Sequence, residues 1–258
     1  MSRSFLATFS VLLFCMLPLM GSRQAGSAKS LKGHTYSLIF FVSDTQSEWS
    51  RDEKNQMLQL LTDAEQWLVE QAQKNDVRLK FEHGFFGWDT DIKLPSQPDG
   101  NRSGKEETGL TAQITQAVGY KNNDQILNSI KADNIQLLFF FKKDGISYSL
   151  PYEHHLNEIF YLEGMAIYHQ FDSNTPQCRS CIAHEILHLF GAWDFYKSFQ
   201  TTQAHEDRAR RDYPNSIMLR TSYNISELNI DPVTAWRIGW TDTEPPDAQH
   251  YQPQPLPQ

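Results

Sequence analysis

Cysteine is scarce in this chain, with three residues in 258, at positions 15, 178 and 181. That count excludes a disulfide-framed miniprotein and any site built from four thiolates. Basic charge is also in short supply. Lys and Arg number 23 against 31 Asp and Glu, a formal net charge of −8. No basic cluster is large enough to track a phosphate backbone, so nucleic acid is not an expected partner. Internal repeats and heptad patterns are missing too, which argues against solenoids and coiled coils. There is one long apolar run, residues 5–20, which follows Arg3 and gives way to small and polar residues up to position 28. It is too short and wrongly flanked for a membrane span and reads as a secretory signal, with cleavage after Gly21 or Ala28. Cys15 follows Phe14, where lipoprotein processing needs a small residue, so lipid attachment is not expected. Residues 1–28 hold Arg3 and Arg23 and no acid, so their removal leaves 21 basic residues against 31 acidic. The expectation is an acidic domain that is secreted or periplasmic.

What is present fits one globular domain. At 40% hydrophobic and 21% charged, the chain can bury a single good core over residues 29–242. Residues 243–258, rich in Pro and Gln, read as a disordered, solvated tail. Residues 36–42 are apolar enough for a buried strand. A capping box at Ser50 and Glu53 opens a long helix, on which Met57, Leu60, Leu61, Ala64, Trp67, Leu68 and Ala72 form a core-facing stripe. Residues 78–85 alternate as a second strand. Residues 89–107 read as a long surface loop, where Asp89, Asp91 and Asp99 lack the regular spacing of a calcium site and are expected to be solvated. Short helices follow at 111–118 and 124–131, then an apolar strand at 135–141. Asp144-Gly145 marks a hairpin turn into 146–150, and 163–168 is a further strand. His154 and His155 between them read as surface residues.

The densest chemistry is the run His184-Glu185-Ile186-Leu187-His188-Leu189-Phe190-Gly191-Ala192-Trp193-Asp194. Four residues apart on a helix, His184 and His188 project from one face, where two imidazoles can share one Zn²⁺. Glu185 stands beside them, placed to take a proton from a metal-bound water. Gly191 can adopt the left-handed conformation that ends a helix sharply, turning the chain back so that Asp194 completes the metal set. Other candidates for the third ligand are His205, Glu206 and Asp212. Six residues before the first His, Cys178 and Cys181 are spaced CxxC. Without a second pair they do not form a zinc knuckle, and the context lacks the strand-helix setting of a thioredoxin motif. A disulfide that pins the helix start is the preferred reading, with free thiols the alternative.

At HExxHxxGxxD the sequence resembles the metzincin clan of zinc endopeptidases, whose usual last ligand is His. Asp at that place resembles the variant of the snapalysin family. A second likeness lies in Tyr213-Pro214-Asn215-Ser216-Ile217-Met218-Leu219, which is similar to the metzincin Met-turn, and residues 231–240 resemble the closing helix of that clan. The resemblance is loose over residues 36–240 and close over 178–240. It implies an α+β fold in which a twisted mixed sheet carries a long backing helix, a zinc-binding active-site helix, the Met-turn and a C-terminal helix. It also implies hydrolysis of peptide bonds, an edge strand that aligns the substrate, and a wall of the specificity pocket near residues 219–221, with Arg220 favouring an acidic side chain. A phenol often stabilises the oxyanion in such enzymes. Arg220 occupies the position where astacin-like members carry Tyr, which leaves Tyr223 and Tyr196 as substitutes. No pro-segment is visible ahead of residue 36. Two competing readings are a zinc amidase or deacetylase acting on a cell-wall or small substrate, and a silent binding module, which would have no need of Glu185. Asn101 and Asn224 head glycosylation sequons.

Overall fold

The computed structural model describes residues 30–98, 110–150, 164–198 and 200–253. The expected signal segment, Asp99, the sequon at Asn101 and the His154-His155 pair lie outside the described residues. The chain runs β1 (Gly33–Ser43), α1 (Arg51–Lys74), β2 (Leu79–Phe86), β3 (Ile92–Lys93), α2 (Leu110–Ala117), α3 (Asn123–Ser129), β4 (Asn134–Asp144), β5 (Tyr148–Leu150), β6 (Gly164–Asp172), β7 (Thr175–Pro176), α4 (Arg179–Leu189), α5 (Gln203–Asp212) and α6 (Pro232–Arg237). Short 3-10 turns occupy Ile225–Glu227 and Ala248–Tyr251. The class is α+β, with one mixed sheet.

Sheet order is β2-β1-β4-β6-β5, with β1 to β2, β1 to β4 and β4 to β6 parallel and β5 antiparallel to β6. The two central strands, β1 and β4, carry unbroken apolar runs at residues 38–42 and 137–141 because both faces are covered there. Side chains alternate between faces: Ile39, Phe41, Leu138 and Phe140 join one core with α1 and α4, while Leu38, Phe40, Phe139 and Phe141 join another with α2 and α3. Helix α1 lies along the first of these faces. Its capping box is present as the sequence predicts, and Met57, Leu61, Ala64, Trp67, Leu68 and Ala72 are buried.

Three expectations change. Asp144-Gly145 does not fold β5 back on β4; β6 runs alongside β4 and β5 pairs with β6 instead. With Phe139, Phe140 and Phe141 fully buried, β4 is a central strand, and a longer parallel partner covers its edge better than a three-residue return strand. Residues 89–107 do not begin as a solvated loop. Lys54 is buried and donates to the carbonyls of Gly87 and Trp88, and it pairs with Asp91 at 2.7 Å, so this stretch is pinned against α1 and runs on into β3. Asp89 is exposed and bonded to Arg51. Last, within residues 243–253 Ala248 and Tyr251 are fully buried, because an aromatic recess receives the Tyr251 ring; residues 254–258 of the expected tail lie outside the described residues. Among the described residues no helix is long and apolar enough to cross a membrane.

Candidate metal centre

Helix α4 is buried on nearly every side, with Ser180 to Leu187 and Leu189 inside the core. A helix with so little solvent face must account for its polar groups through specific partners. Its start is capped by the Cys178 sulfur, which accepts from the Cys181 N–H at 3.1 Å, and Cys178 and Cys181 are disulfide-bonded. Ser180 Oγ donates to Ser222 O at 2.7 Å and accepts from Ser222 N–H at 2.9 Å. The first turn is thereby joined to the segment after Met218. At the other end Gly191 takes φ 97°, a left-handed conformation that suits glycine. The Ala192 N–H then closes on Leu187 O, and the chain turns back under the helix.

That reversal brings Asp194 to the two histidines. His184 Nε2 and His188 Nε2 stand 3.0 Å apart, and Asp194 Oδ1 lies 3.1 Å from the first and 3.0 Å from the second. His184 Nδ1 bonds to Ile217 O at 2.9 Å and His188 Nδ1 to Ala192 O at 2.8 Å. A carbonyl only accepts, so each Nδ1 carries the hydrogen and each Nε2 presents a lone pair. Three lone pairs therefore converge in a part-buried space, which is repulsive unless a cation or a proton lies among them. Apart from these imidazoles no donor among the described residues reaches Asp194 Oδ1. Ligand atoms about 2.0–2.1 Å from a tetrahedral Zn²⁺ stand roughly 3.3 Å from one another, close to the observed triangle. The residues fit a metal ion, and His184, His188 and Asp194 can hold one.

The electrostatics agree. Burial works against an imidazolium at His188, but Asp194 beside it outweighs this, and the pKa is pushed up to about 9. Burial likewise favours a neutral Asp194, yet His188 and His184 hold its carboxyl well below the usual carboxylate range. Positive charge is what this pocket attracts.

Glu185, 8% exposed, sits on the same helix beside the triangle. The turn around Met218 supports it from below. Ile217 O accepts from His184, Met218 O accepts from the Phe195 N–H at 2.8 Å, and Met218 is fully buried. Ser216 in turn donates to Asp231, the N-cap of α6. The alternative third ligands are engaged elsewhere. His205 packs against Phe195 and Tyr251, Glu206 accepts from Lys197 N–H and Arg210, and Asp212 accepts from the Tyr251 hydroxyl. Of the two candidate phenols, Tyr196 is the one at the site, its ring stacked 6.1 Å from that of His184. Tyr223 bonds to Pro176 O near the start of α4. Arg220 is folded onto Pro214 O and Asn215, with Glu227 3.8 Å away. Sequence reasoning did not find the links of Ser180 to Ser222 or of Arg237 to Trp193, because each joins residues more than 40 apart in the chain with no motif between them. Models of known protein families give no match to the chain, and a search of curated proteins gives none.

Proposed function

We propose that the protein is an exported zinc endopeptidase that hydrolyses peptide bonds with Glu185 as general base. The observation that carries this reading is the convergence of His184 Nε2, His188 Nε2 and Asp194 Oδ1, with Glu185 one residue from a ligand. Two imidazoles and one carboxylate suit Zn²⁺, and three protein ligands leave a coordination position open, the mark of a catalytic rather than a structural zinc site. Zinc bound there would supply Lewis acidity and a water of lowered pKa. Glu185 accepts the proton of the attacking water and passes it to the leaving amine nitrogen. Tyr196 supplies the phenol for the developing oxyanion. The carbonyls of Ile217 and Ala192 keep both imidazoles oriented through the reaction.

Peptide as the substrate class is supported by the metzincin likeness, in which an extended chain pairs with a strand at the edge of the sheet; β5 ends the described strand order here. The metzincin resemblance is supported by the long helix behind a mixed sheet, the glycine-terminated metal helix and the turn at Met218. With Arg220 occupied by Pro214 and Asn215, it is not assigned to recognition of an acidic side chain. The apolar segment at 5–20 and the bonded cysteines support an oxidising, extracytoplasmic setting.

The test is digestion of a mixed peptide library by purified protein, with and without a chelator, beside Glu185→Ala and Asp194→Ala. Expected are chelator-sensitive cleavage, a loss of roughly two to four decades of turnover in Glu185→Ala with zinc retained, and loss of zinc in Asp194→Ala. Absence of cleavage with every divalent metal tried would sink the endopeptidase reading. Hydrolysis confined to small acyl amides would favour an amidase or deacetylase.

A further inference from the structure

The stretch that delivers Asp194 has no regular secondary structure of its own. Residues 192–195 are tied at their two ends, Ala192 N–H to Leu187 O and Phe195 N–H to Met218 O. Between these ties the Trp193 ring is gripped by a charged group from a distant part of the chain. The Arg237 guanidinium lies 3.5 Å from the centroid of Trp193 and 5.3 Å from that of Trp236. Arg237 is only 2% exposed. Arginine is rarely buried so deeply, and burial pulls its pKa down to about 10, with Glu244 acting in the opposite direction. Two indole faces are among the surroundings of this buried charge.

Both chain neighbours of Trp193 serve the metal triangle. Ala192 O receives the Nδ1 hydrogen of His188, and Asp194 provides the carboxylate oxygen. A rotation of the backbone at position 193 would move the two together. We propose that Arg237 is a positioning residue of the metal centre: stacked on Trp193, it holds the 192–194 turn so that Asp194 Oδ1 and the Ala192 carbonyl stay in register with the imidazoles. A planar guanidinium covers an indole face broadly and keeps its charge even when buried. On the far side of Asp194, Phe195 is anchored by Tyr251 at 4.7 Å between ring centroids, so the turn is held on both flanks. The inference rests on the metal-site reading and is independent of the peptidase one.

The experiment uses the full chain as it folds, with Arg237→Met, Arg237→Lys, Trp193→Leu and the double variant Arg237→Met/Trp193→Leu. Zinc affinity is read by competition with a chromophoric chelator, cobalt coordination by visible absorption, and folding of the metal-free protein by circular dichroism. Expected is a loss of zinc affinity in Arg237→Met of roughly 10- to 100-fold, the range for groups that orient ligands, with an altered cobalt spectrum. Arg237→Lys should recover part of it. If Arg237 acts through Trp193, the double variant loses no more affinity than the worse single variant. Wild-type zinc affinity and cobalt spectrum in a folded Arg237→Met would overturn the proposal, as would additive losses in the double variant. Should Arg237→Met fail to fold, Trp193→Leu decides alone: unchanged zinc affinity in it removes the turn from the mechanism. Wild-type protein that binds neither zinc nor cobalt would overturn the metal-site reading itself, a result distinct from retained metal without peptide cleavage.

Discussion

Glu65 on α1 and His83 on β2 meet at 2.6 Å, and Ser37 donates to the same carboxylate at 2.9 Å. Burial raises the pKa of Glu65. For His83, burial opposes the charge, but Glu65 outweighs it and raises the imidazole above its ordinary value of 6.5. A raised His contributes stability that is full below about 6.5 and lost as pH rises through its folded value. The raised Glu65 acts in the same direction but from its ordinary 4.5 upward. The loss above pH 6.5 is that of the imidazolium paired with the Glu65 carboxylate. Melting temperature is therefore expected to fall as pH rises above 6.5 in the wild type and to fall less in Glu65→Gln, as followed by scanning calorimetry; parallel curves would refute the assignment. Sequence showed no sign of this pair. It did show His184, Glu185 and His188, because a four-residue spacing on a helix is local geometry. The different placement of Tyr196 and Tyr223 waited on the reversal after Gly191, which stacks the Tyr196 ring on that of His184, while Tyr223 bonds to Pro176 O.

Among the elements, α1 was the most legible, since its cap and apolar stripe are set by the helical period. Helix α4 was legible in its chemistry and less so in its support. Its hydrophobic pattern is nearly uniform because it is buried all round, so no face could be assigned from periodicity. What holds its first turn is the reciprocal pair of bonds between Ser180 and Ser222. Ser180→Ala removes both and leaves part-buried backbone groups of Ser222 unpaired, an expected cost of about 1 kcal/mol in denaturant unfolding. The Cys178–Cys181 bond closes a loop of four residues, so its entropic contribution is at most about 2 kcal/mol. The serine pair thus matters about as much to this turn as the covalent link. Strand β5 illustrates the opposite limit. A local turn signal at Asp144-Gly145 predicts the return of the chain but not which strand receives it, and competition for the edge of β4 decided that in favour of β6.

Across the whole molecule, the last described segment packs against the turn that carries Asp194, through Tyr251 on Phe195. Tyr251 donates to Asp212 at 2.7 Å and Tyr213 to Asp247 at 2.6 Å, two crossed Tyr–Asp bonds that fasten the chain end to α5. The Tyr251 ring packs on Phe195, His205 and Tyr213. Tyr251→Ala is expected to cost about 3–5 kcal/mol by cavity formation, lowering the thermal midpoint by several degrees. Because Phe195 follows Asp194, the same variant should also bind zinc less tightly in the chelator competition. A change of stability alone would confine Tyr251 to a packing role. Composition hid this segment, since Pro and Gln dominate its count while a single aromatic residue determines its packing.

The sequence by itself placed the residues of the candidate centre, because two imidazoles at helical spacing with Glu185 between them, and a glycine able to take a positive φ ahead of Asp194, are local properties of a chain. The resemblance carried by its motifs also implied the α+β class, which the mixed sheet and the helices match. The tertiary structure alone decided the strand that takes the edge, the tyrosine ring that stacks on His184, the burial of Ala248 and Tyr251 and the stack of Arg237 on Trp193. Each of these depends on residues far apart in the chain competing for the same buried space, and that competition is settled only when the core is packed.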